Sequence, residues 1–182
     1  MSIKPDFLLK ALHVLSWIIF VGVCIDAGGV LVHTILTSFI NPARANIFWV
    51  GLDLSHVYAF NEVSYVTLTT LMSIVTILKA ILFYIIIKIF HDKKLKLSQP
   101  FTMDFGRYIS TIAYISLGIG LFSLWGSDLV SWLSEQHVMV PPIHKMKIGG
   151  ADVWLFVFFI LIIFAKIFKR GVEIQSENDL TV

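Results

Sequence analysis

An apolar run near the end of the chain limits what this sequence can fold into. The run begins at Trp154 and contains no polar residue until Lys166, so a helix over it would be apolar on every face. Such a helix belongs in lipid or in the centre of a large core. The chain has only 182 residues, 57% of them hydrophobic and 14% charged, and is too short to build a large soluble core. These features together predict an integral membrane protein.

Three further apolar stretches approach the length of about 20 residues that a bilayer-spanning helix needs. We therefore predict a single membrane domain over residues 1–182. The four predicted spans cover about residues 11–32, 66–90, 108–125 and 153–168. The expected fold is all-α, an integral membrane four-helix bundle. Aromatic and polar side chains are interleaved between the first two spans, which predicts an amphipathic extracytoplasmic segment there.

Lysine and arginine are unevenly distributed between the two sides of this arrangement. One side carries Lys4, Lys10, Lys88, Lys93, Lys94, Lys96, Arg107, Lys166, Lys169 and Arg170. The other side carries Arg44, Lys145 and Lys147, and Lys79 lies within a span. Because cytoplasmic loops are enriched in lysine and arginine, we expect both termini and the polar tail 171–182 in the cytoplasm.

Small and polar residues recur at helical spacing in three spans and predict the faces that meet. The stripes are Gly22, Asp26, Gly29 and His33 in span 1, Thr69, Ser73, Thr76 and Ala80 in span 2, and Ser116, Gly120, Ser123 and Ser127 in span 3. Span 4 has almost no such face. We therefore expect spans 1, 2 and 3 in closest contact, with span 4 alongside them.

Asp26 and Lys79 are ionisable residues within predicted spans, where each would cost about 2.5–3.5 kcal/mol if unpaired. We predict that they pair, directly or through water, and that His33, two helical turns beyond Asp26, joins the same polar pocket. This pocket would either fix the register of the helices or serve a proton path, an ion path or a ligand. We favour the structural interpretation, because a proton relay normally needs more protonatable partners.

The outer loops contain a weak pattern for a metal site. Asp53 and His56 lie about one helical turn apart and would form a two-ligand arm for a divalent ion, which His137 and His144 would complete. Solvated loop residues are the favoured interpretation of all four. Cys24 is the single cysteine, which excludes an intramolecular disulfide and a cysteine-rich zinc site. No cofactor is predicted.

The sequence lacks the usual signatures of an enzyme. It has no His-Glu-x-x-His run, no Gly-x-Ser-x-Gly elbow and no phosphate-binding glycine-rich loop. The net charge of +2 gives no reason to expect direct binding of nucleic acid. The sequence is compatible with a homo-oligomer.

Two charged segments on the basic side are candidate contact sites. Lys93, Lys94 and Lys96 would bind anionic lipid headgroups, although their default role is to set the topology. Candidate partner contacts in the tail are Glu173, Glu177, Asp179 and Leu180. The tail would bind the basic loop or a cytoplasmic partner, and a solvated, frayed end is equally compatible with its composition.

The end of the chain, IFKRGVEIQSENDLTV at residues 167–182, resembles the terminal signature of the bacterial membrane-protein family DUF2975. The Gln99-Pro100-Phe101 step before span 3 and the four-span layout are similar to the same family. Its members have no established activity, so the resemblance implies no catalytic residue. They are often encoded near a small helix-turn-helix regulator, which implies a cytoplasmic partner of that type. Membership of a bacterial membrane-protein family, together with the predicted spans, implies a location in the bacterial inner membrane.

Two functional hypotheses follow. The first is a non-enzymatic inner-membrane protein that senses or protects the membrane and signals through its tail and basic loop to a cytoplasmic regulator. The alternative is a small transporter or channel that uses Asp26, Lys79 and His33 as a polar path. An intramembrane enzyme has the least support.

Overall fold

The computed structural model of the protein describes residues 5–91 and 103–179. Its five α-helices within these ranges are α1 (Pro5–Ile35), α2 (Ser55–Phe60), α3 (Glu62–His91), α4 (Met103–Glu135) and α5 (Ala151–Asp179). A π-helical turn, Leu36–Ile40, extends α1, and two short 3-10 helices, Pro42–Ile47 and Trp49–Gly51, follow it. The extended backbone of Asn41 and the proline after it end the first long helix, as proline cannot continue the hydrogen-bond ladder.

Four of these helices are long and apolar enough to cross a membrane. The candidate spans are Leu9–Ile40, Glu62–His91, Asp104–Glu135 and Ala151–Glu177. This confirms the predicted all-α fold with four spans. Each helix is longer than its predicted span, and α5 continues through the basic residues into the tail. An ion pair of 3.0 Å between Arg170 and Glu173, three residues apart, supports the helix there.

The long helices pack in chain order, α1 against α3, α3 against α4, and α4 against α5. Span 4 therefore has a full partner in span 3, contrary to the expectation that spans 1, 2 and 3 would make the closest contacts. The glycine at position 120 explains the difference, because a methyl group there would lie 2.8 Å from Leu155 of α5. Gly120 thus lets α5 approach α4 closely. In α1, Gly22 is exposed, with open space around it.

The central helix α3 supplies most of the buried core, including Tyr65, Leu68, Met72 and Val75. The outer helices are far less covered. In the most apolar stretch of each span, 17% of the residues of α1 and 6% of those of α5 are buried, against 39% of those of α3. Large apolar side chains such as Val14 and Phe156 therefore remain exposed on the flanks, where lipid would cover them.

Residues 41–61, called the cap here, fold over one end of the helices. Phe48, Leu52, Leu54 and Val57 of the cap are all buried. The turn at Val50 and Gly51, both with positive φ, lets Phe48 and Leu52 form an antiparallel bridge. The cap and the α4–α5 loop, residues 136–150, share this end of the molecule, which we call the loop end. The opposite end, where α1 begins and α5 ends, is called the terminal end.

Candidate functional site

Asp26 is the centre of a polar cluster at the loop end. Its Oδ2 lies 3.0 Å from the Nζ of Lys147 in the α4–α5 loop. Its Oδ1 accepts a hydrogen bond of 3.2 Å from the indole nitrogen of Trp49 in the cap. Each carboxylate oxygen is thus engaged by a different segment of the chain. The side chains of Asp26 and Lys147 are 28% and 42% exposed, so the ion pair is accessible from outside the protein.

Lys79 belongs to the same cluster without bonding to Asp26. Its Nζ donates a hydrogen bond of 2.7 Å to the backbone carbonyl of Lys147 and lies 5.7 Å from the centre of the Trp154 ring. A lysine at this distance from an indole face gains a cation–π interaction. The predicted direct pair between Asp26 and Lys79 is therefore wrong in its geometry. Lys147 links the two residues: its backbone carbonyl accepts the hydrogen bond from Lys79, and its ammonium group forms the ion pair with Asp26.

The backbone of Lys147 explains how one residue makes both contacts. Its φ is +64°, in the left-handed region that residues other than glycine rarely adopt. A conformation of this kind costs on the order of 1–3 kcal/mol and persists only when the surrounding contacts fix it. The contacts with Asp26 and Lys79, together with the buried neighbours Met146 and Ile148, hold the loop in this conformation.

Gly29, one helical turn beyond Asp26, makes room for the cap. The indole of Trp49 lies so close to it that any side chain at this position would overlap the ring. The predicted stripe of small residues on α1 is therefore used at Gly29 to seat an aromatic ring of the cap. The close approach brings the Trp49 indole nitrogen to Asp26.

His33 lies beside the cluster, and its ring packs against the cap. Its Nδ1 donates a hydrogen bond of 2.9 Å to the carbonyl of Gly29. The ring centre lies 5.7 Å from that of Phe48 and 5.8 Å from that of Trp49. His33 thus supports the aromatic rings next to Asp26. His33 forms no hydrogen bond or ion pair with Asp26 or Lys79.

A network of buried hydroxyl groups joins α1 to α3 just beyond His33. Tyr65 donates a hydrogen bond of 2.6 Å to Thr37, and Thr37 donates one of 2.6 Å to the carbonyl of His33. Thr34 lies 3.1 Å from the Oγ of Ser73. These groups satisfy one another in an apolar environment and fix how the two helices pack.

The sequence interpretation missed several members of these groups. The predicted stripe on span 2 included Ser73, whereas Thr34, Thr37 and Tyr65 were not singled out. Thr34 and Thr37 continue the helical face of Asp26, so their spacing carried a usable signal. Nothing in the sequence linked Trp49 or Lys147 to Asp26, since that proximity depends on how the cap and loop fold.

The four candidate metal ligands of the weak pattern lie in two segments, the cap and the α4–α5 loop. Within residues 5–91 and 103–179, no group of three or more His, Cys, Asp or Glu side chains is arranged to hold a metal ion. Asp53 instead accepts hydrogen bonds from the backbone nitrogen and hydroxyl of Ser55, at 2.9 and 2.6 Å. His56 lies in α2, and His137 takes the left-handed position that ends α4. All four candidate ligands, including His144, are exposed.

The hydrogen bonds from Ser55 also act on the charge of Asp53. They favour the carboxylate and lower the pKa of Asp53 below its ordinary value of 3.8. Asp53 thereby holds the start of α2 in place.

The candidate partner contacts at the tail are partly described. Glu173 accepts a hydrogen bond of 3.0 Å from Arg170, and Glu177 is exposed on the last turns of α5. Asp179 is the last residue of that helix. The remaining candidates on this side, Leu180, Lys93, Lys94 and Lys96, lie outside the described residues, as does the Gln99-Pro100-Phe101 step.

Two cavities open at the terminal end, away from the Asp26 cluster. One, of about 600 Å³, lies between α4 and α5, and a smaller one of about 260 Å³ adjoins the first turns of α4. Neither is lined by Asp26, His33 or Lys79. These cavities therefore give no support to a polar path through the predicted pocket.

Comparison with known proteins gave one match. The model of a family described as "Protein of unknown function (DUF2975)" matches residues 37–182, which include the cap, the three later spans and the tail. Comparisons with curated proteins and with solved structures gave no match.

Proposed function

This chain belongs to DUF2975, a family of proteins of unknown function, and from that premise we propose a regulatory role for it. The proposed role is that of a non-enzymatic membrane sensor. It responds to a change at the loop end and reports it at the terminal end to a cytoplasmic helix-turn-helix regulator. The lysine and arginine bias supports a location in the bacterial inner membrane with both termini in the cytoplasm.

The ion pair between Lys147 and Asp26 is the observation that carries this proposal. Lys147 lies four residues before the start of α5, and its partner lies in α1. From Ala151, α5 continues without a break to Asp179, a length of about 43 Å. A displacement of the loop can therefore move the far end of the same helix. This continuity supports signalling from the loop end to the tail.

The energies at the loop end suit a switch between two states. An accessible ion pair of this kind contributes about 0.2–1 kcal/mol. A stimulus that broke it would shift a two-state equilibrium by up to about fivefold. Binding of an ion that competes with Lys147 for Asp26 is a stimulus of this type. Relief of the strained left-handed backbone at Lys147 would further favour the state in which the ion pair is broken.

The alternative function, a small transporter or channel, has less support. Both oxygens of Asp26 are engaged, and Lys79 is bound to a backbone carbonyl and covered by an indole ring. A transport path would have to break these contacts in every cycle. The two cavities at the terminal end are lined by other residues. Liposome flux that is unaltered by Asp26→Asn would exclude this alternative.

A binding measurement with the full chain in lipid nanodiscs tests the sensor. The partner is a purified helix-turn-helix regulator of the type that the family resemblance implies. We expect a chain that ends after Arg170 to lose binding, and Asp26→Asn and Lys147→Gln to change the Kd in the same direction, by up to about fivefold. Lys145→Gln is the matched control, since Lys145 is an exposed lysine of the same loop that is not in the cluster.

Three results would contradict the proposal. The first is that the regulator binds the shortened chain as tightly as the full chain. The second is that Lys145→Gln changes the Kd as much as Lys147→Gln does. The third is that the regulator does not bind the full chain.

A further inference from the structure

The larger cavity is a groove between α4 and α5 at the terminal end. Its volume is about 600 Å³, and it is open at the protein surface. One wall is a stripe of α4 that includes Arg107 and Tyr114, and the other is a stripe of α5 that includes Ile162, Lys166 and Lys169. The spacing on each wall is that of one helical face. The groove is therefore a property of how these two helices pack.

Positive charge dominates the mouth of the groove. Arg107, Lys166 and Lys169 line it, and within the described residues none of the three takes part in an ion pair. Arg170, the next residue along α5, is by contrast paired with Glu173. An acidic side chain, Asp104, lines the adjoining smaller cavity together with Arg107. The cations at the mouth outnumber this carboxylate, which favours an anion.

The rest of the groove is mainly apolar, and the hydroxyl groups of Ser110 and Thr111 in its wall donate to backbone carbonyls of α4 itself. Ile162 precedes Lys169 by seven residues, and Tyr114 follows Arg107 by seven, a distance of about 10 Å along each helix. In both helices this step leads from the end of the span toward the middle of the membrane. Ala165 and Phe168 add to the apolar wall. A ligand that fits this gradient has an anionic head and a hydrocarbon tail.

We propose that the groove binds one anionic phospholipid. Arg107, Lys166 and Lys169 hold its phosphate, and an acyl chain lies along Tyr114 and Ile162. Cations near the membrane surface attract anionic lipids, and a basic pocket between spanning helices is a suitable headgroup site. This inference is independent of the sensor proposed above, because it uses neither the Asp26 cluster nor the tail.

Gly106 allows the groove to be filled without disturbing the helix packing. It lines the groove, and a side-chain carbon added to it would meet no atom within 4 Å. Gly106→Leu therefore places a bulky side chain in the lipid's position. Its effect is independent of charge, so it complements Arg107→Gln and the double variant Lys166→Gln/Lys169→Gln. Lys88→Gln is the matched control, since Lys88 is an exposed lysine near the terminal end of α3.

The experiment measures lipid retained by the purified full chain. Each variant is delipidated, incubated with an equimolar mixture of phosphatidylglycerol and phosphatidylcholine, and analysed by native mass spectrometry. We expect the unmodified chain to retain one phosphatidylglycerol in preference to phosphatidylcholine. Retention should fall roughly fivefold for each cation neutralised and should be largely lost in Gly106→Leu. Lys88→Gln should behave as the unmodified chain.

Four results would overturn the proposal. The first is equal retention of both lipids by the unmodified chain, and the second is retention of phosphatidylglycerol by the groove variants as strong as that by Lys88→Gln. The third is displacement of the lipid by glycerol phosphate without acyl chains at equal concentration, which would identify an anion site only. The fourth is a changed oligomeric state of Gly106→Leu with unaltered lipid retention, which would identify a second copy of the chain as the occupant.

Discussion

The indole of Trp49 occupies the space in which a side chain on Gly29 would begin. The contact seats the cap on α1 and brings the Trp49 nitrogen within hydrogen-bonding distance of Asp26. A glycine in the middle of a spanning helix thus determines where the cap lies. This relationship gives the most direct test of the fold at the loop end.

Gly29→Ala should destabilise the protein by about 1–3 kcal/mol, because the added methyl group forces the indole out of its site. The measurement is SDS-induced unfolding in mixed micelles. Gly28→Ala is the control, since a methyl group there meets open space, and it should be neutral or stabilise by up to about 1 kcal/mol. Equal stability of the two variants would show that the indole does not rest on Gly29.

A double-mutant cycle of Asp26→Asn and Lys147→Gln should give a coupling energy of about 0.2–1 kcal/mol. The two charges are 3.0 Å apart and partly exposed, which places the pair among accessible ion pairs. Unfolding of the four proteins of the cycle in mixed micelles measures it. A cycle of Asp26→Asn with Lys145→Gln should give no coupling, and comparable values from the two cycles would argue against the pair.

Tyr65→Phe should destabilise the contact between α1 and α3 by about 1 kcal/mol, since it removes the hydroxyl that donates to Thr37. Tyr58→Phe is a suitable control. Its ring packs on that of Tyr65 at 5.3 Å, and its hydroxyl makes no hydrogen bond with the described residues. The stability difference between the two variants isolates the buried hydroxyl, and a difference of zero would remove it from the helix contact.

Acid should loosen the start of α2. The pKa of Asp53 is lower in the folded protein than its ordinary value of 3.8, because Ser55 donates two hydrogen bonds to the carboxylate. This contribution is fully present above 3.8 and is lost as the pH falls through the folded pKa. Protection of the Ser55 amide against hydrogen exchange should therefore decrease over that range.

The first turn of α3 offers an internal control for this measurement. The amide of Ser64 donates to the Oδ1 of Asn61, which does not titrate, at 3.1 Å. The protection factor of the Ser64 amide, which corrects for the pH dependence of the intrinsic exchange rate, should stay constant over the same pH range. A parallel loss at Ser55 and Ser64 would point to general acid unfolding.

Most of the fold could be predicted because apolar length and proline are local signals. The four spans follow from hydropathy, and the end of the first helix follows from Asn41 and Pro42. The polar face of span 2 was also recognisable, since Thr69 and Ser73 are buried against α1. Such patterns report which face of a helix avoids lipid.

The partners of Asp26 could not be predicted in the same way. A charge within a span indicates that a partner exists, and Lys79 was the natural candidate because it also lies within a span. Lys147 is an unremarkable loop lysine in the sequence. It reaches Asp26 because of a left-handed backbone at a residue type that gives no sign of one. The sequence thus indicates that Asp26 needs a positively charged partner, but it does not indicate which lysine or arginine provides it.

The packing of the helices in chain order bears on how the protein is made. Each spanning helix finds its main partner in the span synthesised immediately before or after it, so no segment has to wait for a distant one to be inserted. Assembly can then proceed hairpin by hairpin as the ribosome advances, with short chain closures throughout. The contact between α3 and α4 joins the two pairs, α1 with α3 and α4 with α5.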